Sequence, residues 1–169
     1  YEDVLTIKDL LVTKNICPTV FALSLSKRAN YNELETVRPF LSEKQLLDLG
    51  TSGWEIGSHS ATHADFSSLS PVQMDTEIRN SKIELEQIVG QPVYYFAYPK
   101  GVYDTDILKT VSAAQYTLAF SVNDGYVTRQ TNTLLIPRVG VDGTHTIVQF
   151  LHLASPLAMM VRKIIKKIL

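Results

Sequence analysis

Apolar positions along the chain switch repeatedly between a helical spacing and short continuous runs. From Val4 to Lys14, Val4, Leu5, Ile7, Leu10 and Leu11 share one helical face, and Asn15 is a suitable stop. Thr19 to Leu23, following Pro18, reads as a short buried strand, with a loop expected through Asn32. Ser42 and Gln45 have capping-box spacing ahead of Leu46, Leu47 and Leu49, with Gly50 where that helix would end. Trp54 to Gly57 is the next strand. Ser70-Pro71 opens what should be the longest helix, carried by Met74, Ile78, Ile83, Leu85, Ile88 and Val89 as far as Gly90. Val93–Ala97, Thr117–Val122 and Leu134–Val141 read as strands, and Asp104–Gln115 and Thr144–Leu153 as helices.

Strands alternating with helices predict βα units, an α/β fold and a parallel sheet whose ligands gather at the carboxyl ends of the strands. At 169 residues, with 45% hydrophobic and 20% charged residues, the chain has the composition of one globular domain. A net charge of -1 argues against a nucleic-acid partner, which would call for a basic surface. With Cys17 alone, neither an internal disulfide nor a cysteine-based zinc site can form, and its place before Pro18 reads as packing. No signal peptide and no bilayer-spanning run is seen; because the chain starts at Tyr1 without Met, it is expected to be trimmed.

The chemistry-bearing residues follow the predicted strands. In Gly57-Ser58-His59-Ser60-Ala61-Thr62-His63-Ala64-Asp65, two imidazoles four residues apart can converge on one cation. This is not the thermolysin-type motif, because Ser60 stands where that pattern needs a glutamate base. By itself the pair is equally compatible with a chance spacing or with histidines that cap a loop. Two further segments at strand ends weigh towards chemistry: Phe96-Ala97-Tyr98-Pro99-Lys100-Gly101, and Ser121-Val122-Asn123-Asp124-Gly125.

Trp54-Glu55-Ile56-Gly57-Ser58-His59-Ser60-x-x-His63 resembles the second motif of the polysaccharide deacetylase family, the NodB-like carbohydrate esterases. Tyr1-Glu2-Asp3 and Ile16 to Phe21 are similar to the segments after that family's first motif, and the resemblance extends from Tyr1 to about Phe150. It implies a distorted (β/α) barrel lacking its first strand over 1–155. The first motif, Thr-Phe-Asp-Asp-Gly, supplies the family's catalytic base and third metal ligand; by register it would lie just before Tyr1, and Asp3 is no substitute. As it stands, the chain is expected to be inactive.

The third motif, Phe-Arg-Pro-Pro-Tyr-Gly, aligns with Phe96–Gly101, with agreement at Pro99 and Gly101 and Ala97 in place of the arginine. Arg138 is the candidate to supply the missing guanidinium, and the backbone N–H of Lys100 corresponds to an oxyanion donor. Asp124 represents the fourth motif loosely, and His145 is the candidate general acid, though a histidine in the first turn of a helix needs no function. His152 reads as surface or packing. Tyr98, Pro99, Tyr103 and Asp124 are candidate sugar contacts, with Tyr126 a weaker one, whereas Trp54, opening a strand, reads as core.

What the resemblance implies is a divalent cation, expected to be zinc, held by His59 and His63. It would lower the pKa of bound water from ~15.7 towards ~7 and polarise an acetamide carbonyl. The expected substrate is an N-acetylated polysaccharide or oligosaccharide, and the expected location is outside the cytoplasm. Two alternatives are a carbohydrate-binding relative without catalysis and a hydrolase of another linear amide. Residues 156–169 place Val161, Ile164, Ile165 and Ile168 opposite Arg162, Lys163, Lys166 and Lys167. That basic amphipathic helix suits packing on the domain or peripheral contact with an anionic membrane.

Overall fold

The computed structural model describes residues 2–25, 40–153 and 155. Helix α1 (Glu2–Thr13) leads to strand β1 (Thr19–Ala22), followed by α2 (Glu43–Thr51), β2 (Glu55–Ser58), α3 (Pro71–Val89), β3 (Tyr95–Ala97), α4 (Thr105–Ala113), β4 (Leu118–Phe120) and α5 (Ile147–Leu153). The strands form one parallel sheet in the order β1-β2-β3-β4. Each parallel step needs a crossover, and right-handed crossovers place α2, α3 and α4 on one face. In agreement, α3 packs on α2, α4 and β2. Sequential order with helices on one side is the arrangement of a (β/α) barrel, present here as an open arc among the described residues.

Helix boundaries follow from local chemistry. Ser42 with Gln45 and Ser70 with Gln73 both form complete capping boxes, and Pro71 occupies the first position of α3. Gly90, at φ 70°, closes α3 with its amide on Glu86 O. The Asp104 carboxylate accepts from the amides of Asp106 and Ile107 and so starts α4. Against the sheet these helices bury Leu46, Leu49, Ile78, Leu85, Ile107 and Val111, joined by Ile56, Phe96 and Ala119 from the strands. Trp54 packs in the same core at 6% exposure, as its strand position implied.

Three expectations need correction. Leu134–Val141 is not a strand: only an isolated bridge joins Ile136 to Phe120. Pro137 has no N–H to donate, and the next amide, Arg138 N, turns to Asn123 O. Cys17 is exposed rather than packed, its thiol donating to Gly53 O at 3.1 Å. Gly50 lies inside α2, which continues to Thr51, while the left-handed turn falls to Gly53 at φ 85°. Residues 156–169, with their proposed membrane or packing role, lie outside the described residues, as does most of the loop through Asn32. Among the described residues no helix is long and apolar enough to cross a membrane.

Candidate metal centre

β2 ends at Ser58, and the His59 amide prolongs its pairing with β1 by donating to Ala22 O at 2.8 Å. The His59 Nδ1 lies 2.8 Å from Ala97 O at the end of β3. A carbonyl can only accept, so Nδ1 carries the proton and Nε2 keeps a lone pair, the orientation found in metal-ligating histidines. Burial pushes the His59 pKa down to about 4 against the opposing pull of the Ala97 hydrogen bond, and the charges of His63 and Arg138 add to the depression. The ring is therefore neutral at pH 7, the form a metal requires.

His63 returns to meet it. The two rings stand edge to face with centroids 4.8 Å apart, and both line a cavity of about 240 Å³ with Phe21, Leu23, Phe40 and Leu41. This convergence requires an unusual backbone, because Ser60 (φ 70°) and His63 (φ 65°) both occupy the left-handed region. For L-residues that conformation costs ~1–2 kcal/mol each.

Hydrogen bonds hold the loop there. The Ser60 hydroxyl accepts from His63 N at 3.0 Å, and the buried Ser58 hydroxyl accepts from Ser60 N at 3.2 Å. From α3, Glu77 Oε2 accepts from Ala61 N at 3.1 Å and Thr62 N at 2.9 Å, while Oε1 accepts from Thr62 Oγ1 at 2.8 Å. Hydrogen bonds to an ionised group are worth ~1.5–3 kcal/mol each, enough to offset two left-handed residues. Glu77, Ser58 and Ser81, whose hydroxyl lies 2.7 Å from that of Ser58, were not singled out from the sequence. One signal was available for two of them: Glu77 and Ser81 lie on the stripe of α3 that buries Met74, Ile78 and Leu85.

The other candidates divide by position. Arg138 is close to the pair electrostatically, since its charge lowers the His59 pKa. Its guanidinium lies 5.7 Å from the Phe21 ring centre, and Nε donates to Ser121 O at 2.9 Å. Lys100 sits at φ 54° in the turn Pro99–Gly101, and its ammonium pairs with Asp65 at 3.3 Å, tying the loop after β3 to the histidine loop. Ser67 hydrogen bonds first, and Lys100 after them, hold the Asp65 carboxyl below the ordinary carboxylate range.

Tyr98 corrects the expectation of a sugar contact: it is 1% exposed, its hydroxyl donates to Leu134 O at 2.8 Å, and burial raises its pKa. Pro99 is likewise buried, which takes its ring from the surface. Tyr103 is half-buried and its hydroxyl accepts from Asn123 Nδ2 at 2.8 Å. Tyr126 and Asp124 are exposed. The imidazole of His145 engages Asp142, Nδ1 to Oδ1 being 3.1 Å, and His152 is exposed on α5 with Nδ1 near Val148 O.

The donor set fits a divalent cation in part. Two imidazoles converge, that of His59 neutral with its tautomer fixed, but among the described residues no group of three histidine, cysteine, aspartate or glutamate side chains assembles. Residues 4–119 match the family model described as polysaccharide deacetylase. The chain belongs to the polysaccharide deacetylase family. It is 27% identical over 101 residues to YxkH of Bacillus subtilis (strain 168), provisionally named a polysaccharide deacetylase; the match covers 60% of this chain and 36% of YxkH.

Among solved structures, Streptococcus pyogenes deacetylase PplD in complex with acetate superposes with a TM-score of 0.73 at 21% identity, covering 88% of this chain and 63% of that one. The Bacillus anthracis protein BA3943, described as a CE4 family pseudoenzyme, superposes at 0.56 with 19% identity, covering 70% of this chain and 38% of that one. Both structural likenesses establish the fold. The chain spans about a third of the curated relative and under two thirds of either structure.

Proposed function

We propose that this domain belongs to a metal-dependent hydrolase that removes N-acetyl groups from amino sugars of a polysaccharide outside the cytoplasm, with His59 and His63 as metal ligands. The observation that carries the reading is the converging pair: His59 is neutral and fixed by Ala97 O, and His63 is 4.8 Å away between ring centres. Family membership supplies the reaction class. A bound zinc ion would provide an activated water and a Lewis acid for the acetamide carbonyl.

This chain's residues have separate tasks in that reading. His59 and His63 hold the cation, and Ala97 O keeps the His59 proton on Nδ1. Lys100, in its left-handed turn after β3, is the candidate backbone N–H donor to the developing oxyanion. Arg138 contributes positive charge beside the pair. Tyr103 and Asp124 are candidate contacts to the sugar. The third ligand and the base are expected from outside the described residues.

The test is calorimetric titration of the full-length protein with Zn²⁺, together with deacetylation of N-acetyl chito-oligosaccharides. His59→Ala should weaken zinc binding at least ~100-fold and abolish turnover. Zinc affinity unchanged by that substitution would refute the ligand assignment. A second reading, a carbohydrate-binding relative without catalysis, draws on the likeness to the pseudoenzyme BA3943. Sugar binding without turnover in the zinc-loaded wild type would favour it.

A further inference from the structure

We infer that Glu77, on α3, is a positioning residue for the histidine pair, acting through the backbone of the loop that carries it. The inference rests on the reading of His59 and His63 as a metal centre. The carboxylate accepts from the amides of Ala61 and Thr62 and from the Thr62 hydroxyl, at 3.1, 2.9 and 2.8 Å. These residues lie between His59 and His63, inside the stretch where Ser60 and His63 adopt positive φ. A loop of L-residues does not keep two left-handed positions unless its surroundings determine them.

The other supports are neutral: Ser60 Oγ on His63 N and Ser58 Oγ on Ser60 N, the amides of Ser24 and Leu25 after β1 donating to Ser60 O and Ala61 O, and the backbone carbonyl of Glu77, which shares the Ala61 amide at 3.2 Å. Glu77 is the charged acceptor that binds the loop from a different element. α3 is itself fixed, through Ser81 and Tyr116: the Ser81 hydroxyl lies 2.7 Å from that of Ser58 and 3.2 Å from Tyr116 OH, and Tyr116 OH donates to Ile78 O at 3.1 Å. The carboxylate thus carries the rigidity of α3 into the spacing of the imidazoles. It touches neither a ligand nor the reacting atoms, and its effect is expected in metal affinity and loop order.

The experiment compares full-length wild type, Glu77→Ala, Glu77→Gln and Ser70→Ala. Amide exchange is measured on metal-free protein, Zn²⁺ affinity by calorimetry, and the urea midpoint gives a measure of global stability. Ser70→Ala removes the N-cap of the same helix and leaves the loop contacts intact. We expect Glu77→Ala to speed exchange at Thr62 at least ~10-fold and to weaken Zn²⁺ by ~10- to 100-fold, the range for residues that orient metal ligands. Glu77→Gln keeps one carbonyl acceptor and should show a smaller loss of the same kind, which also serves if the alanine variant does not fold. Ser70→Ala should lower the urea midpoint and leave exchange at Thr62 and zinc affinity as in wild type.

Unchanged exchange and affinity in both Glu77 variants, or an equal zinc loss in Ser70→Ala, would overturn the inference. If wild type binds no Zn²⁺, the metal reading fails on its own, and exchange at Thr62 alone decides the role of Glu77: acceleration supports it and no change refutes it.

Discussion

Lowering the pH should destabilise the fold through His59 in a defined window. In the unfolded chain this imidazole has the ordinary value of 6.5, whereas in the folded protein burial and neighbouring charge depress it to about 4. Because the folded pKa is the lower one, the contribution is fully present above pH 6.5. As pH falls below it the unfolded state binds a proton that the folded state refuses, until pH reaches about 4. Within the window the loss accrues at ~1.4 kcal/mol per pH unit, giving ~2 kcal/mol near pH ~5 and ~3 kcal/mol at its end. Carboxylates also begin to titrate there, so the measurement is a difference: urea unfolding free energy against pH for metal-free wild type and His59→Gln, paired with an NMR titration of the His59 ring. The two stability curves should converge by ~2 kcal/mol between about pH 7 and pH 5. Parallel curves, or a His59 ring that titrates near its ordinary value, would refute the argument from burial.

Two other substitutions test the surroundings. Gly101→Ala would place a Cβ 2.3 Å from Val122 Cγ2 and 3.2 Å from its Cβ, at a residue with φ +71°, so rotating Val122 cannot relieve the whole clash. It should cost ~2 kcal/mol or more in urea unfolding, and a loss under ~0.5 kcal/mol would mean the turn relaxes freely. Arg138→Met removes a cation that depresses His59 and should move the His59 titration upward by NMR; an unmoved titration would place Arg138 outside the electrostatics of the pair.

Much of the fold was legible because its signals are local. Capping residues and helical spacing located α2, α3 and α4, and the short β-rich runs located the four strands. Errors arose where the decisive partner is remote in sequence. Leu134–Val141 has strand composition, but a strand needs a ladder on a neighbour, and this segment pairs with β4 only through the bridge at Ile136. Tyr98 follows a strand in a motif segment, so its aromatic ring suggested sugar stacking; the carbonyl that satisfies its hydroxyl belongs to Leu134, 36 positions away. At the candidate centre the histidines were readable from their spacing. Their orientation was not, because it depends on Ala97 O and the Glu77 carboxylate, which belong to the next strand and the next helix.

That dependence bears on where affinity for the proposed metal would originate. The His59 ring is held by β3 and the backbone before His63 by α3, so the distance between the imidazoles reflects the packing of α3 and β3 on β2. The strain of two left-handed residues is then offset during folding, with no need for ligand binding to supply the ordering energy. A loop of identical sequence on a flexible tether would have to spend part of its binding energy on that conformation. Mutations in the α3–β2 contact should therefore weaken zinc binding even when both histidines are intact, whereas changes of similar stability cost in α1 should leave it unaltered.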